Sequence, residues 1–173
     1  MKKIIIGLFA LSILSNTSKA QNTEGRALPS ADLKTVEGKT VNSSKFTNDG
    51  KPIIISFWAT WCKPCKKELD AISENFEEWQ KETGVKLIAI SIDDSRSSGK
   101  VGTDAKSHAW DYEIYIDQNQ DFKRAMNVNN VPHTFIINGK GEIVWQHNSY
   151  AEGDEDHLYE ALKKIAKGEK VEE

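Results

Sequence analysis

The sequence predicts an α/β fold with a mixed central β-sheet, helices on both of its faces and an extra N-terminal β-hairpin. Three observations lead to it. Ile53–Trp58, Lys66–Glu82 and Lys86–Ile92 read as strand, helix and strand, a βαβ unit with parallel pairing. Thr134–Ile137, Glu142–Gln146 and Glu155–Lys167 read as two linked strands and a helix, which adds antiparallel pairing and makes the sheet mixed. Between the first strand and the first helix stand the only two cysteines of the 173-residue chain, Cys62 and Cys65.

In chain order, Met1-Lys2-Lys3 is a short basic start and Ile4 to Leu14 an apolar run of about eleven residues. That run fits the 7–15 of a signal-peptide core and falls short of the ~20 a membrane helix needs. Ser18-Lys19-Ala20 sets small residues where a signal peptidase reads. Residues 1–20 are therefore expected to be a signal peptide cleaved after Ala20, with one domain over residues 21–173; an uncleaved anchor is the alternative. No cysteine lies near Ala20, so no lipoprotein anchor is expected. Export implies a periplasmic or other oxidising setting in which a cysteine pair can be a disulfide.

Gln21 to Ala27 is polar and reads as loose. Leu33–Val36 and Lys39–Val41, split by Glu37-Gly38, read as a hairpin, and Asn48–Pro52 as a turn. Ile53–Trp58 is β-branched and aromatic, the composition of a buried strand. In Lys66–Glu82, Leu69, Ile72, Phe76 and Trp79 recur at steps of three and four, an amphipathic helix stopped by Thr83-Gly84. Lys86–Ile92 is a second apolar strand ending at Asp93-Asp94, which reads as a solvated loop. Ser95–Thr103 reads as a polar loop, Asp104–Trp110 as a short helix, Tyr112–Ile116 as a strand and Asp121–Met126 as a short helix. Asn138-Gly139-Lys140-Gly141 turns the last strand pair. The final helix has Leu158, Ala161, Leu162 and Ile165 inward, Asp154 as its N-cap and Gly168 as its stop, followed by a charged, frayed tail. Trp58 and Trp145 lie in apolar strands and read as core.

Charge narrows the partners. The chain holds 23 basic and 26 acidic residues; without the three lysines of residues 1–20 it would hold 20 and 26, a net of −6. That excludes nucleic acid and an anionic membrane surface as partners, since both need a basic face. About 150 residues suit one domain with its own core.

The chemistry is that of a thiol pair at a helix start. The unpaired N–H groups of a helix N-terminus favour an anion. A thiolate is the reactive form of cysteine, and such a position lowers its pKa from about 8.5 into the range of about 3.5–7.5. Lys63, Lys66 and Lys67 add positive charge. Residues i and i+3 of a helix lie roughly 5–6 Å apart on one side, close enough to bridge. Cys62, at an exposed tip, is expected to attack, and Cys65, tucked beneath, to resolve. Pro64 in the first turn gives up an N–H that would be unpaired anyway. A CxxC beside a βαβ pattern reads as a thioredoxin-like redox motif.

Phe57-Trp58-Ala59-Thr60-Trp61-Cys62-Lys63-Pro64-Cys65-Lys66-Lys67-Glu68 resembles the active-site stretch of the TlpA/ResA family, exported thiol–disulfide oxidoreductases of the thioredoxin fold. Asn130-Val131-Pro132-His133-Thr134-Phe135-Ile136-Ile137 resembles the family's cis-proline segment. The resemblance covers most of the mature chain, the added N-terminal hairpin included. It implies a cis bond before Pro132, facing the cysteines, and a Val131 backbone free to pair with an extended substrate. Trp61, Pro64, Val131 and Pro132 would then form an apolar substrate-binding rim around Cys62. Glu68 matches an acid the family uses near the resolving cysteine, so it would tune the pair or relay a proton; otherwise it is an ordinary exposed acid of the helix's first turn. Two departures stand out. Ser56 occupies the position of thioredoxin's buried aspartate and is no base unaided, and His133 stands where the family more often has threonine. His133 would either lie near Cys62 and shift its pKa or, the preferred reading, face outward on the surface.

The resemblance implies a protein-disulfide reductase without cofactor. Its partners would be oxidised proteins, apocytochromes c among them, and a thiol electron donor in the membrane. An oxidase or isomerase is the alternative direction. A zinc site is disfavoured because one CxxC supplies two of four ligands and His108, His133, His147 and His157 show no ligand spacing. A purely structural staple gains little from so short a loop. A peroxidase on the same fold would not rely on this CxxC.

Overall fold

The computed structural model describes residues 25–171, so the expected signal peptide lies outside the described residues. The strands are β1 (Arg26–Ala27), β2 (Asp32–Thr35), β3 (Thr40–Asn42), β4 (Ile53–Trp58), β5 (Lys86–Ser91), β6 (Glu113–Ile116), β7 (His133–Ile137) and β8 (Glu142–Asn148). The helices are α1 (Lys63–Thr83), α2 (Val101–Ser107), α3 (Asp121–Ala125) and α4 (Asp154–Ala166). The eight strands of the described residues join one sheet in the order β1-β8-β7-β4-β5-β6-β2-β3.

Every residue of β4 is buried because β4 is central and covered on both faces. It runs parallel to β5, with Ile55 opposite Ile88, and antiparallel to β7, with Ile55 opposite Phe135. Successive side chains point to opposite faces. Ile55, Phe57 and Phe135 meet Phe122 of α3 on one side, while Ile54 and Ile136 meet Ile72 and Trp79 of α1 and Leu162 of α4 on the other. The mixed sheet with helices on both faces is the predicted one. The N-terminal hairpin is β2–β3, with Leu33 opposite Val41, and β2 extends the main sheet by pairing with β6.

Several boundaries differ from the sequence reading. Arg26–Ala27 is not loose: it pairs with β8, and the Arg26 guanidinium donates to the carbonyls of Ala125 and Met126. The stretch read as a loop over Ser95–Thr103 holds a 3₁₀ turn, Ser98–Lys100, and the start of α2. Val101 and Ala105, one turn apart, are both buried and anchor that helix, which ends at Ser107, short of the expected Trp110. Asp154 is the first residue of α4, and Gly153, at φ +101°, stands at the cap position. The Asp154 carboxylate still accepts the Ala151 N–H. The tail beyond Gly168 is held through its first residues, since Glu169 N–H donates to the Lys164 carbonyl and Val171 packs against the α4 core.

Candidate redox site

β4 ends at Trp58, Ala59–Trp61 turn the chain, and Cys62 is the N-cap of α1. The helix therefore begins three residues before the predicted Lys66, because the cysteine itself closes its first turn: Cys62 Sγ accepts the Cys65 N–H at 3.3 Å. Cys62 and Cys65 form a disulfide with Cα atoms 5.4 Å apart. Cys62 is 5 % exposed and Cys65 0 %, while Trp61 beside them is 66 % exposed. The expected exposed tip is thus Trp61; Cys62 folds back over the helix end. No acidic residue lies in the first turn of α1. Lys63 and Lys67 are exposed, whereas Lys66 is paired with Asp104 of α2 at 3.4 Å.

The turn before Cys62 is pinned by Asp93. Its carboxylate accepts the Thr60 N–H at 2.8 Å and the Thr60 hydroxyl at 2.7 Å, and the Ser91 hydroxyl at 2.8 Å. Asp93 is wholly buried, against the expectation of a solvated loop, because it caps the end of a central strand where the loop turns inward. Asp93→Ala is expected to cost about 2–3 kcal/mol in urea unfolding, since it strands the part-buried Thr60 N–H and hydroxyl and the buried Ser91 hydroxyl. Unchanged stability would show that water replaces the carboxylate.

Glu68 lies one turn beyond Cys65 on the same side of α1. Ser56 and Thr134 are register partners across β4 and β7, so both hydroxyls emerge on one sheet face. The Glu68 carboxylate sits between them: Thr134 Oγ1 donates to Oε1 at 2.8 Å and Ser56 Oγ donates to Oε2 at 3.2 Å. Only 4 % of Glu68 is exposed, so it is not an ordinary surface acid. Burial pushes its carboxyl up to about 7, with the two hydroxyl donors opposing the rise. This group can hold or release a proton near neutral pH.

Asn130–Pro132 leads into β7 through a cis Val131–Pro132 peptide bond, as the resemblance implied. Trp61 and Pro64 are exposed, Val131 is half-buried and Pro132 is buried. A family model described as the AhpC/TSA family matches residues 25–146. The thiol-disulfide oxidoreductase ResA of Bacillus cereus is 30 % identical over 149 residues, covering 86 % of this chain and 82 % of that protein. ResA of Bacillus subtilis is 30 % identical over 126 residues, covering 73 % and 68 %.

The chain belongs to the ResA-type thiol–disulfide oxidoreductases of the AhpC/TSA family. The solution structure of a thioredoxin-like protein from Porphyromonas gingivalis is 50 % identical, with a TM-score of 0.73 over 83 % of this chain and 94 % of that one. The thioredoxin-like fold and the TlpA/ResA resemblance drawn from the two motifs both hold.

Two features of this oxidoreductase were not legible beforehand. Thr134 completes the Glu68 cradle, but only the β4–β7 register reveals it as the partner of Ser56. His133 is 8 % exposed, contrary to the surface residue expected. Its strand is flanked by β4 and β8, so its ring stacks on Phe135 at 4.4 Å and its Nε2 lies 3.2 Å from the Gln146 side-chain oxygen. Burial holds its imidazole below the ordinary value. Among the described residues, no group of three or more His, Cys, Asp or Glu side chains is arranged to hold a metal.

Proposed function

We propose that this oxidoreductase reduces disulfides of exported proteins, with Cys62 as nucleophile, Cys65 as resolving thiol and Glu68 as the proton-handling group beside it. The observation that carries this reading is the Cys62–Cys65 pair at the start of α1, with the buried Glu68 carboxyl one turn beyond Cys65. The Cys62 thiolate attacks a client disulfide, forming a mixed disulfide and expelling one client thiolate. Cys65, its proton passing to Glu68, then attacks Cys62 Sγ, which forms the Cys62–Cys65 bond and releases the second client sulfur as a thiolate. Two electrons pass from protein to client, and the client sulfurs take up two protons, one of them from Glu68.

Trp61, Pro64, Val131 and Pro132 are the proposed client-contacting rim. The Val131 N–H and C=O make no hydrogen bond among the described residues, which favours pairing with an extended client strand. The sequence supports export by a signal peptide over residues 1–20. A thiol held reduced in an oxidising compartment needs electrons, so a membrane thiol donor is part of the proposal, and apocytochromes c are candidate clients. The reduction potential of the Cys62–Cys65 pair decides the direction. It is expected below about −200 mV, with cleavage of insulin disulfides, whereas a value near about −120 mV would make the protein an oxidase.

A further inference from the structure

Trp61 separates two adjoining concavities on the side of the site facing α2. One, of about 550 Å³, is lined by Trp61, Lys100, Thr103 and Ser107. The other, of about 440 Å³, is lined by Trp61, Ser97, Lys100 and Gln120. Trp61 and Lys100 belong to both, so a single extended segment crossing the indole next to Cys62 would run past the Lys100 ammonium. The Ser97, Ser107 and Gln120 side chains along that path already bond Asp94, Asp104 and Ile92, which leaves the Thr103 hydroxyl to meet a peptide backbone.

The charges around this path do not cancel. Its two carboxylates are already paired, Asp94 with Arg96 at 2.6 Å and Asp104 with Lys66 at 3.4 Å. Lys100 is exposed and unpaired among the described residues, as are Lys63 and Lys67 on the first turns of α1. One uncompensated cation, Lys100, thus lines both concavities, and two more, Lys63 and Lys67, stand on the first turns of the helix that Cys62 caps, in a chain whose formal net charge is −3. Opposite charge draws a partner into such a groove and raises the encounter rate; like charge repels it.

We infer that the groove across Trp61 and Lys100 selects client segments that carry carboxylates beside the target cystine. This rests on Cys62 attacking protein disulfides and names the class of segment it attacks. The test follows mixed-disulfide formation by the reduced Cys65→Ser protein with two synthetic cystine-bridged peptides that differ only in flanking Glu or Lys residues. That readout is independent of the direction of net electron flow.

At low ionic strength the Glu-flanked peptide is expected to react roughly five- to ten-fold faster, the gap closing as salt is raised. Lys100→Glu, added to this protein, is expected to bring the ratio to one or below, while Lys164→Glu on the surface of α4 leaves it in place. Equal rates for the two peptides, an unmoved ratio in Lys100→Glu, or an equal shift in Lys164→Glu would each overturn the proposal. No adduct with either peptide removes Cys62 as the attacking sulfur and the groove's role with it. A clear charge preference in a chain that fails to reduce insulin overturns the reductase direction alone.

Discussion

Cys65→Ser is expected to accumulate mixed disulfides with clients, while Cys62→Ser accumulates none, and both lose insulin reduction down to the uncatalysed background. The asymmetry follows from position. Cys62 keeps 5 % of its surface exposed and follows the exposed Trp61, whereas Cys65 has no exposed area. A client sulfur can therefore reach the first and not the second. The Cys62→Ser protein is expected to fold, because serine is a favoured N-cap and its hydroxyl can accept the Cys65 N–H that Sγ now accepts. Its failure to trap would then report lost chemistry and not lost structure. Cys65→Ser buries a hydroxyl in an apolar cluster with Leu69 and Trp58, at a cost of about 1–3 kcal/mol. Gel analysis of trapped adducts under non-reducing conditions checks both. Equal trapping by the two variants would reverse or erase the assigned roles.

Glu68→Gln is expected to flatten the pH dependence of stability between pH 5 and 8 and to remove a neutral-pH inflection from the resolving step. Burial pushes the Glu68 carboxyl up to about 7 in the folded chain from an ordinary 4.5. Between those values the folded chain keeps a proton that the unfolded chain has released. Stability from this group is therefore fully present below about pH 4.5 and is lost as pH rises through about 7. The displacement corresponds to about 3 kcal/mol. Glutamine keeps the volume and can hydrogen-bond both Ser56 and Thr134, but carries no charge to bury. Urea unfolding of the oxidised proteins at pH 5 and pH 8 is expected to show a drop of about that size for the parent chain and little for the variant. In the reduced proteins, release of the client from the mixed disulfide is expected to slow about a hundred-fold in the variant, the low end of general acid–base contributions. Identical pH profiles for parent and variant would make Glu68 a structural residue only.

The sequence by itself determined the elements whose signal is local. Ile53–Trp58 is β-branched and aromatic throughout, and the three- and four-residue spacing of Leu69, Ile72, Phe76 and Trp79 is visible without any partner. The CxxC between them marked the cysteines that form the disulfide, and the segment Asn130–Ile137 marked the cis Val131–Pro132 bond. Boundaries set by capping escaped, because α1 begins where a cysteine sulfur takes the place of an oxygen acceptor and α2 where two small apolar residues happen to face the core.

The tertiary structure alone decided what the polar residues do. Asp93 looked like a solvated loop acid and is a wholly buried clamp on the turn before Cys62. Glu68 could have been an exposed first-turn acid, but the antiparallel register of β4 and β7 sets two hydroxyls beneath it and burial raises its pKa. His133 could have faced solvent, but it lies between two strands. Apolar periodicity is written along one segment, whereas the environment of a charge depends on segments far apart in the chain. Glu68 and Thr134 stand 66 residues apart and only the folded sheet brings them together.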